Sequence, residues 1–141
     1  MFKLNVSLKE PSKIKEFNRR EYKFADLEHY GFETDWTEKK FVITALEGKE
    51  MVGVVQLQLK VGVAEIHNML VAHNKQGQGI GRMLMNKIEE VAKKEGAHKI
   101  FLETGKGWGS EKFYQKLGYQ KTGKLANHYL KRDFVEYTKF L

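Results

Sequence analysis

The sequence predicts an α/β fold in which helices pack on one mixed sheet. Apolar and polar residues alternate through successive stretches between Phe41 and Ala72, the period of a half-buried strand. Ile80, Leu84, Ile88 and Val91 follow at spacings of four, four and three, the stripe of an amphipathic helix. Between the two patterns, where a strand gives way to a helix, stand glycines at 77, 79 and 81.

Taken in order, "FKLNVSL" (Phe2–Leu8) alternates as a first strand. Pro11 and Ser12 end it, and a helix is expected from Ser12 to about Phe24, with Ile14 and Phe17 on one side. Asp26–Lys39 is irregular and carries Tyr30, Phe32 and Trp36, aromatics that suit a satellite core or the wall of a ligand pocket. Phe41–Glu47 and Met51–Lys60 form a hairpin about Gly48-Lys49. A turn near Gly62 leads into Ala64–Ala72, where a constant period of two puts Glu65, His67, Met69 and Val71 on one face. The helix from Ile80 carries Arg82, Glu89, Glu90, Lys93 and Lys94 on its polar side and stops at Gly96. Lys99–Thr104 is a strand and Ser110–Leu117 a helix closed by Gly118. Tyr119–Leu125 and His128–Leu141 end the chain as strands. At 141 residues the whole chain, 1–141, suits one domain.

Composition narrows the function. No apolar run approaches the roughly 20 residues that span a membrane, so no membrane partner is expected. The start lacks the apolar core of a secretion signal, and cysteine is absent; a cytoplasmic location is expected. Without cysteine there is no disulfide, thiolate metal site or cysteine acyl-enzyme, and no metal site is expected. The net charge of +7 comes from scattered lysines and suits either a solubilising surface or attraction to an anionic ligand. A nucleic-acid partner is not expected, because the Ile80–Val91 helix mixes glutamates with its lysines instead of presenting a basic face.

The start of a helix exposes N–H groups without intrahelical partners and carries the positive end of the helix dipole, so phosphate binds there readily. Glycines clear side chains from the approach and tolerate positive φ. "QGQGIG" (Gln76–Gly81) therefore reads as a phosphate cradle, with Lys75 and Arg82 close by. The dinucleotide fingerprint fails, since Arg82 stands at its third glycine. The phosphate loop of nucleotide hydrolases fails too, since Gly81 is followed by Arg82-Met83 and not by Lys-Ser/Thr.

Two motifs here resemble the GNAT family of N-acetyltransferases. Gln76–Gly81 fits that family's Gln/Arg-x-x-Gly-x-Gly/Ala signature, and Met69 and Val71 fall where its approach carries Leu and Val. "FYQKLGY" (Phe113–Tyr119) resembles its second motif, Phe-Tyr-x-Lys-x-Gly-Phe/Tyr. The resemblance implies a mostly antiparallel mixed sheet of about seven strands, helices on both faces and splayed central strands. It implies acetyl-CoA as cofactor, its pantetheine along Met69, Leu70 and Val71 and its pyrophosphate on Gln76, Gly77, Gln78, Gly79, Ile80, Gly81 and Arg82. Ser110, Phe113 and Tyr114 complete the expected cofactor contacts. The family often has asparagine and alanine where this chain has Gly107 and Ser110.

The implied reaction is acetyl transfer to a primary amine by direct attack in a ternary complex. An amine with a pKa near ~10 must first lose a proton. Glu65 and His67 are the candidate bases; some relatives carry a base glutamate at the place of Glu65, and many an acidic residue at that of His67. The Val71 N–H suits the oxyanion, and the Tyr114 hydroxyl suits the leaving thiolate as an acid. The acceptor is a small-molecule or peptide amine, expected against Tyr30, Phe32, Trp36, His128 and Tyr129. The alternative is a sensor or scaffold that holds acetyl-CoA without turnover. A homodimer through the closing stretch, taken as an edge strand, is a further expectation.

Overall fold

The computed structural model describes residues 1–141. They fall into two compact units, Met1–Asp35 and Trp36–Leu141.

The first unit is built on one helix, α1 (Ile14–Tyr30). It runs six residues beyond the expected end at Phe24 and stops at Gly31, whose φ of +80° lets its N–H bond back to the Leu27 carbonyl. Buried Asp26 accepts the Thr34 N–H at 3.1 Å, which ties the segment after the helix back to it. Phe2–Leu8 forms no strand, and its apolar side chains are exposed. Period-two alternation says which side a strand would bury once paired; it does not supply the partner whose backbone makes the ladder.

The second unit is a six-stranded sheet in the order β1-β2-β3-β4-β6-β5. Its strands are β1 (Lys39–Glu47), β2 (Glu50–Lys60), β3 (Val63–Val71), β4 (Lys99–Gly105), β5 (Gln120–Leu125) and β6 (Phe134–Phe140). All neighbours are antiparallel except β3 and β4. Gly48-Lys49 closes the first hairpin as expected, and Val61-Gly62, both at positive φ, close the second. β6 begins only at Phe134; Tyr129–Lys131 form a tight turn in which Leu130 and Lys131 have positive φ. β6 also lies between β4 and β5, so the closing stretch is an interior strand and offers no free edge for a dimer.

Two helices, α2 (Ile80–Lys94) and α3 (Gly109–Lys116), cover one face of this sheet. The core between them holds Val55, Leu57 and Leu59 of β2, Ala64 and Ile66 of β3, Ile100 and Leu102 of β4, and Tyr137 of β6. α2 adds Leu84, Met85, Ile88 and Ala92, a stripe turned slightly from the one the sequence suggests, since Val91 stays half-buried. Glu89 of α2 fastens the layer: the Tyr119 hydroxyl donates to it at 2.9 Å and the Lys139 ammonium at 3.0 Å.

Candidate active site

The site starts from an irregularity in β3. Register against β2 shifts between Gln56↔Asn68 and Leu57↔Ile66, so His67 is the extra residue of a β-bulge. The bulge breaks the period of two. Ala64 and Ile66 before it, and Met69 and Val71 after it, all face the helices, because their β2 partners Leu59, Leu57, Val55 and Gly53 do. Glu65 and His67 thus lie on the opposite face from Met69 and Val71, which corrects the single face expected from the sequence. On that far face the His67 Nε2 meets the Gln58 Oε1 at 2.6 Å and lies 3.9 Å from a Glu65 carboxylate oxygen.

β3 and β4 pair only over Val63–Glu65 and Lys99–Phe101, then diverge. Ala72 donates to the Val52 carbonyl at 2.8 Å, which makes Val52–Ala72 and Val54–Leu70 the hydrogen-bonded pairs with β2. Met69 and Val71 alternate with those pairs, so their N–H and C=O groups point into the gap left by β4. The Gln76 side chain donates to the Val71 carbonyl at 3.4 Å.

Along the helix side of the gap runs a cavity of about 580 Å³. Met69 and Val71 form one wall, Gly77, Gly79, Ile80 and Gly81 the turn into α2, and Ser110, Phe113 and Tyr114 the opposite wall. The glycines serve two purposes. Gly77 and Gly79 have φ of +79° and +85° with open space where a Cβ would stand. Gly81 has an ordinary φ, but an added Cβ would lie 3.1 Å from the Met69 side chain and 3.2 Å from the Phe113 ring. The first intrahelical bond of this turn runs from Met83 to the Gly79 carbonyl, so the N–H groups of Ile80, Gly81 and Arg82 lie ahead of the helix ladder. Lys75, Arg82 and Lys116 also line the cavity, and no acidic residue does. Lys75 is tied to Glu47 at 2.9 Å, and that hydrogen bond raises its pKa.

A second cavity, of about 300 Å³, passes through the gap toward the far face. Its walls include His67 and Asn68 at the bulge, Glu103 and Thr104 of β4, and the rings of Trp108 and Phe134. Met69, Ser110 and Tyr114 border both cavities. Tyr114 is buried among Phe113 and Tyr119, and burial pushes its pKa up to about 12. Its hydroxyl has no hydrogen-bond partner in the protein, yet no unpaired side-chain oxygen is sealed from solvent, so it opens on the cavities. Ser110 bonds Thr104, hydroxyl to hydroxyl.

The expected residues are distributed unevenly. Leu70 points its exposed side chain away from the cleft, and Gln78 and Glu65 line neither cavity. Tyr30 and Phe32 belong to the first unit, with their rings 6.5 Å apart, and Trp36 lines neither cavity. His128 and Tyr129 stand behind the lining: His128 Nε2 lies 3.2 Å from the Glu103 carboxylate, and both rings pack on Phe134. Glu103, Phe134, Asn68 and Lys116 are lining residues that the sequence did not single out. Trp108 lies flat over Gly105, where a Cβ would come within 2.1 Å of its ring, and so packs on the sheet.

These features fit coenzyme A: a glycine-cleared helix start with three cations for phosphates, then open strand backbone for an amide-bearing arm. Comparison with known proteins agrees. A profile described as "Acetyltransferase (GNAT) family" matches residues 8–119. An uncharacterised N-acetyltransferase of Methanocaldococcus jannaschii is 42% identical over 60 residues, 42% of this chain and 26% of that protein. The [ribosomal protein bS18]-alanine N-acetyltransferase of Haemophilus influenzae is 23% identical over 94 residues, 67% of this chain and 64% of its own. The match thus spans less than two thirds of either relative. A GNAT family acetyltransferase from Elizabethkingia anophelis, solved with acetyl-CoA bound, superposes with a TM-score of 0.67 at 26% identity, over 71% of this chain and 75% of that one. The chain belongs to the GNAT family of acetyl-CoA-dependent acetyltransferases.

Proposed function

We propose that this protein acetylates a primary amine by direct attack in a ternary complex. The observation that carries this reading is the position of Tyr114: one residue lines both the glycine-lined cleft and the smaller cavity behind it. Bound acetyl-CoA supplies an acyl group activated as a thioester. The N–H groups of Gly77–Arg82, with Arg82 and Lys116, hold the phosphates, and Met69 and Val71 pair the arm. Val71 aims its N–H into the gap, where it stabilises charge on the acyl oxygen.

His67 takes the proton from the incoming ammonium. Its Nε2 is engaged by the Gln58 oxygen, which leaves Nδ1 as the accepting nitrogen. Glu65 lies behind the same ring and steadies it. Tyr114 gives its proton to the leaving sulfur, and a pKa near 12 keeps the phenol protonated at working pH. The relative that acts on an alanine of ribosomal protein bS18 brings a peptide amine within the range of acceptors.

Release of free thiol from acetyl-CoA, followed over a panel of amines, tests this reading. Amine-dependent release that collapses in Tyr114→Phe, with unchanged coenzyme A affinity by calorimetry, is expected. Tight binding without release for any amine would mean a sensor, and absence of binding would end both readings.

A further inference from the structure

The two cavities that meet at Tyr114 are opposite in charge. Lys75, Arg82 and Lys116 line the larger one, with no acidic residue. The smaller one has no lysine or arginine, although the chain carries 25 of them; its fixed charge is the Glu103 carboxylate. A second carboxylate, Glu65, lies outside the lining, 3.9 Å from the Nε2 of the lining residue His67. The partner of Glu103 is the His128 imidazole at 3.2 Å, which can give way to a stronger cation. Beside Glu103 the Trp108 and Phe134 rings meet edge to face with centroids 5.3 Å apart, and His128 packs on Phe134 at 5.4 Å. A carboxylate flanked by aromatic rings in a small recess attracts an ammonium by charge and by the ring quadrupoles. A free carboxylate in the same recess would meet Glu103 with no guanidinium or ammonium to pair with.

We propose, resting on the acetyl-transfer reading above, that the acceptor is a small di- or polycationic amine. One amino group is presented between His67 and Tyr114, a second ammonium is held at Glu103 against Trp108 and Phe134, and no free carboxylate lies beside the amines. The volume of about 300 Å³ admits a short diamine whole.

Three amines test this: 1,5-diaminopentane, 1-aminopentane and lysine, the last being the same diamine with one carboxylate added. Thiol release should give the diamine a kcat/KM at least tenfold above both others. Calorimetry on the coenzyme A-loaded protein should rank binding in the same order. Glu103→Gln should bring the diamine-to-monoamine ratio close to one, and Glu103→Asp should keep part of it. Lysine matching the diamine would overturn the proposal, as would a ratio unmoved by Glu103→Gln. Acetylation of an alanine-initiated peptide with all three amines inert would also overturn it and leave the acetyl-transfer reading standing. Failure of coenzyme A itself to bind would bring down that reading, and this proposal with it.

Discussion

The Tyr137 hydroxyl donates a hydrogen bond of 2.6 Å to Glu111, across the interface between β6 and α3. The same carboxylate accepts the Gly107 N–H and faces the Lys121 ammonium at 3.1 Å. Glu111 therefore holds together the loop carrying Trp108, the helix carrying Tyr114, and the last two strands. Gly107, where the family often has asparagine, sits at a φ of +82° that favours glycine. Those contacts, the Tyr137 bond first, hold the Glu111 carboxyl down to about 2. A carboxylate more acidic folded than unfolded contributes stability above its unfolded pKa of about 4.3, lost as pH falls toward the folded value. Glu111→Gln should lower stability by about 1–3 kcal/mol at pH 7. In urea titrations the gap to the parent should close as pH falls from about 4 to about 2; a constant gap would refute the charge as its source.

Tyr114→Phe removes one oxygen and leaves the ring packed. It should slow turnover by about 10²-fold or more while coenzyme A affinity changes little. Because its pKa is pushed up to about 12, the parent should show no basic limb from this group below pH 10. Steady-state rates across pH, beside calorimetry, check both statements.

His67→Gln should lower kcat and spare the affinity for coenzyme A. If the imidazole removes the amine's proton, the deficit narrows as pH approaches the amine's own pKa of about 10. A deficit constant across pH would make His67 a positioning residue.

The glycines can be told apart by substitution. Gly79→Ala forces a Cβ onto a left-handed residue in open space, at a cost of about 1–2 kcal/mol in thermal or urea unfolding. Gly81→Val instead pushes on Met69 and Phe113 and narrows the cleft. It should weaken coenzyme A binding by more than tenfold with a smaller loss of stability. Equal effects at the two sites would contradict the division.

Local pattern was enough for much of this molecule. Alternation and turn residues fixed the β1–β2 and β2–β3 hairpins, a 3.6-residue stripe fixed α2, and glycine spacing with "FYQKLGY" marked the cleft walls, because such signals depend on neighbours within a few residues. Other features depend on which strand lies beside which. The bulge that turns His67 away from Met69, the early parting of β3 from β4, the unpaired Phe2–Leu8 and the interior place of β6 are properties of pairing, which a single strand's pattern does not encode. So is the smaller cavity. Glu103, Trp108 and Phe134 come from a strand, a loop and another strand, and only the gap in the sheet turns three ordinary side chains into one recess.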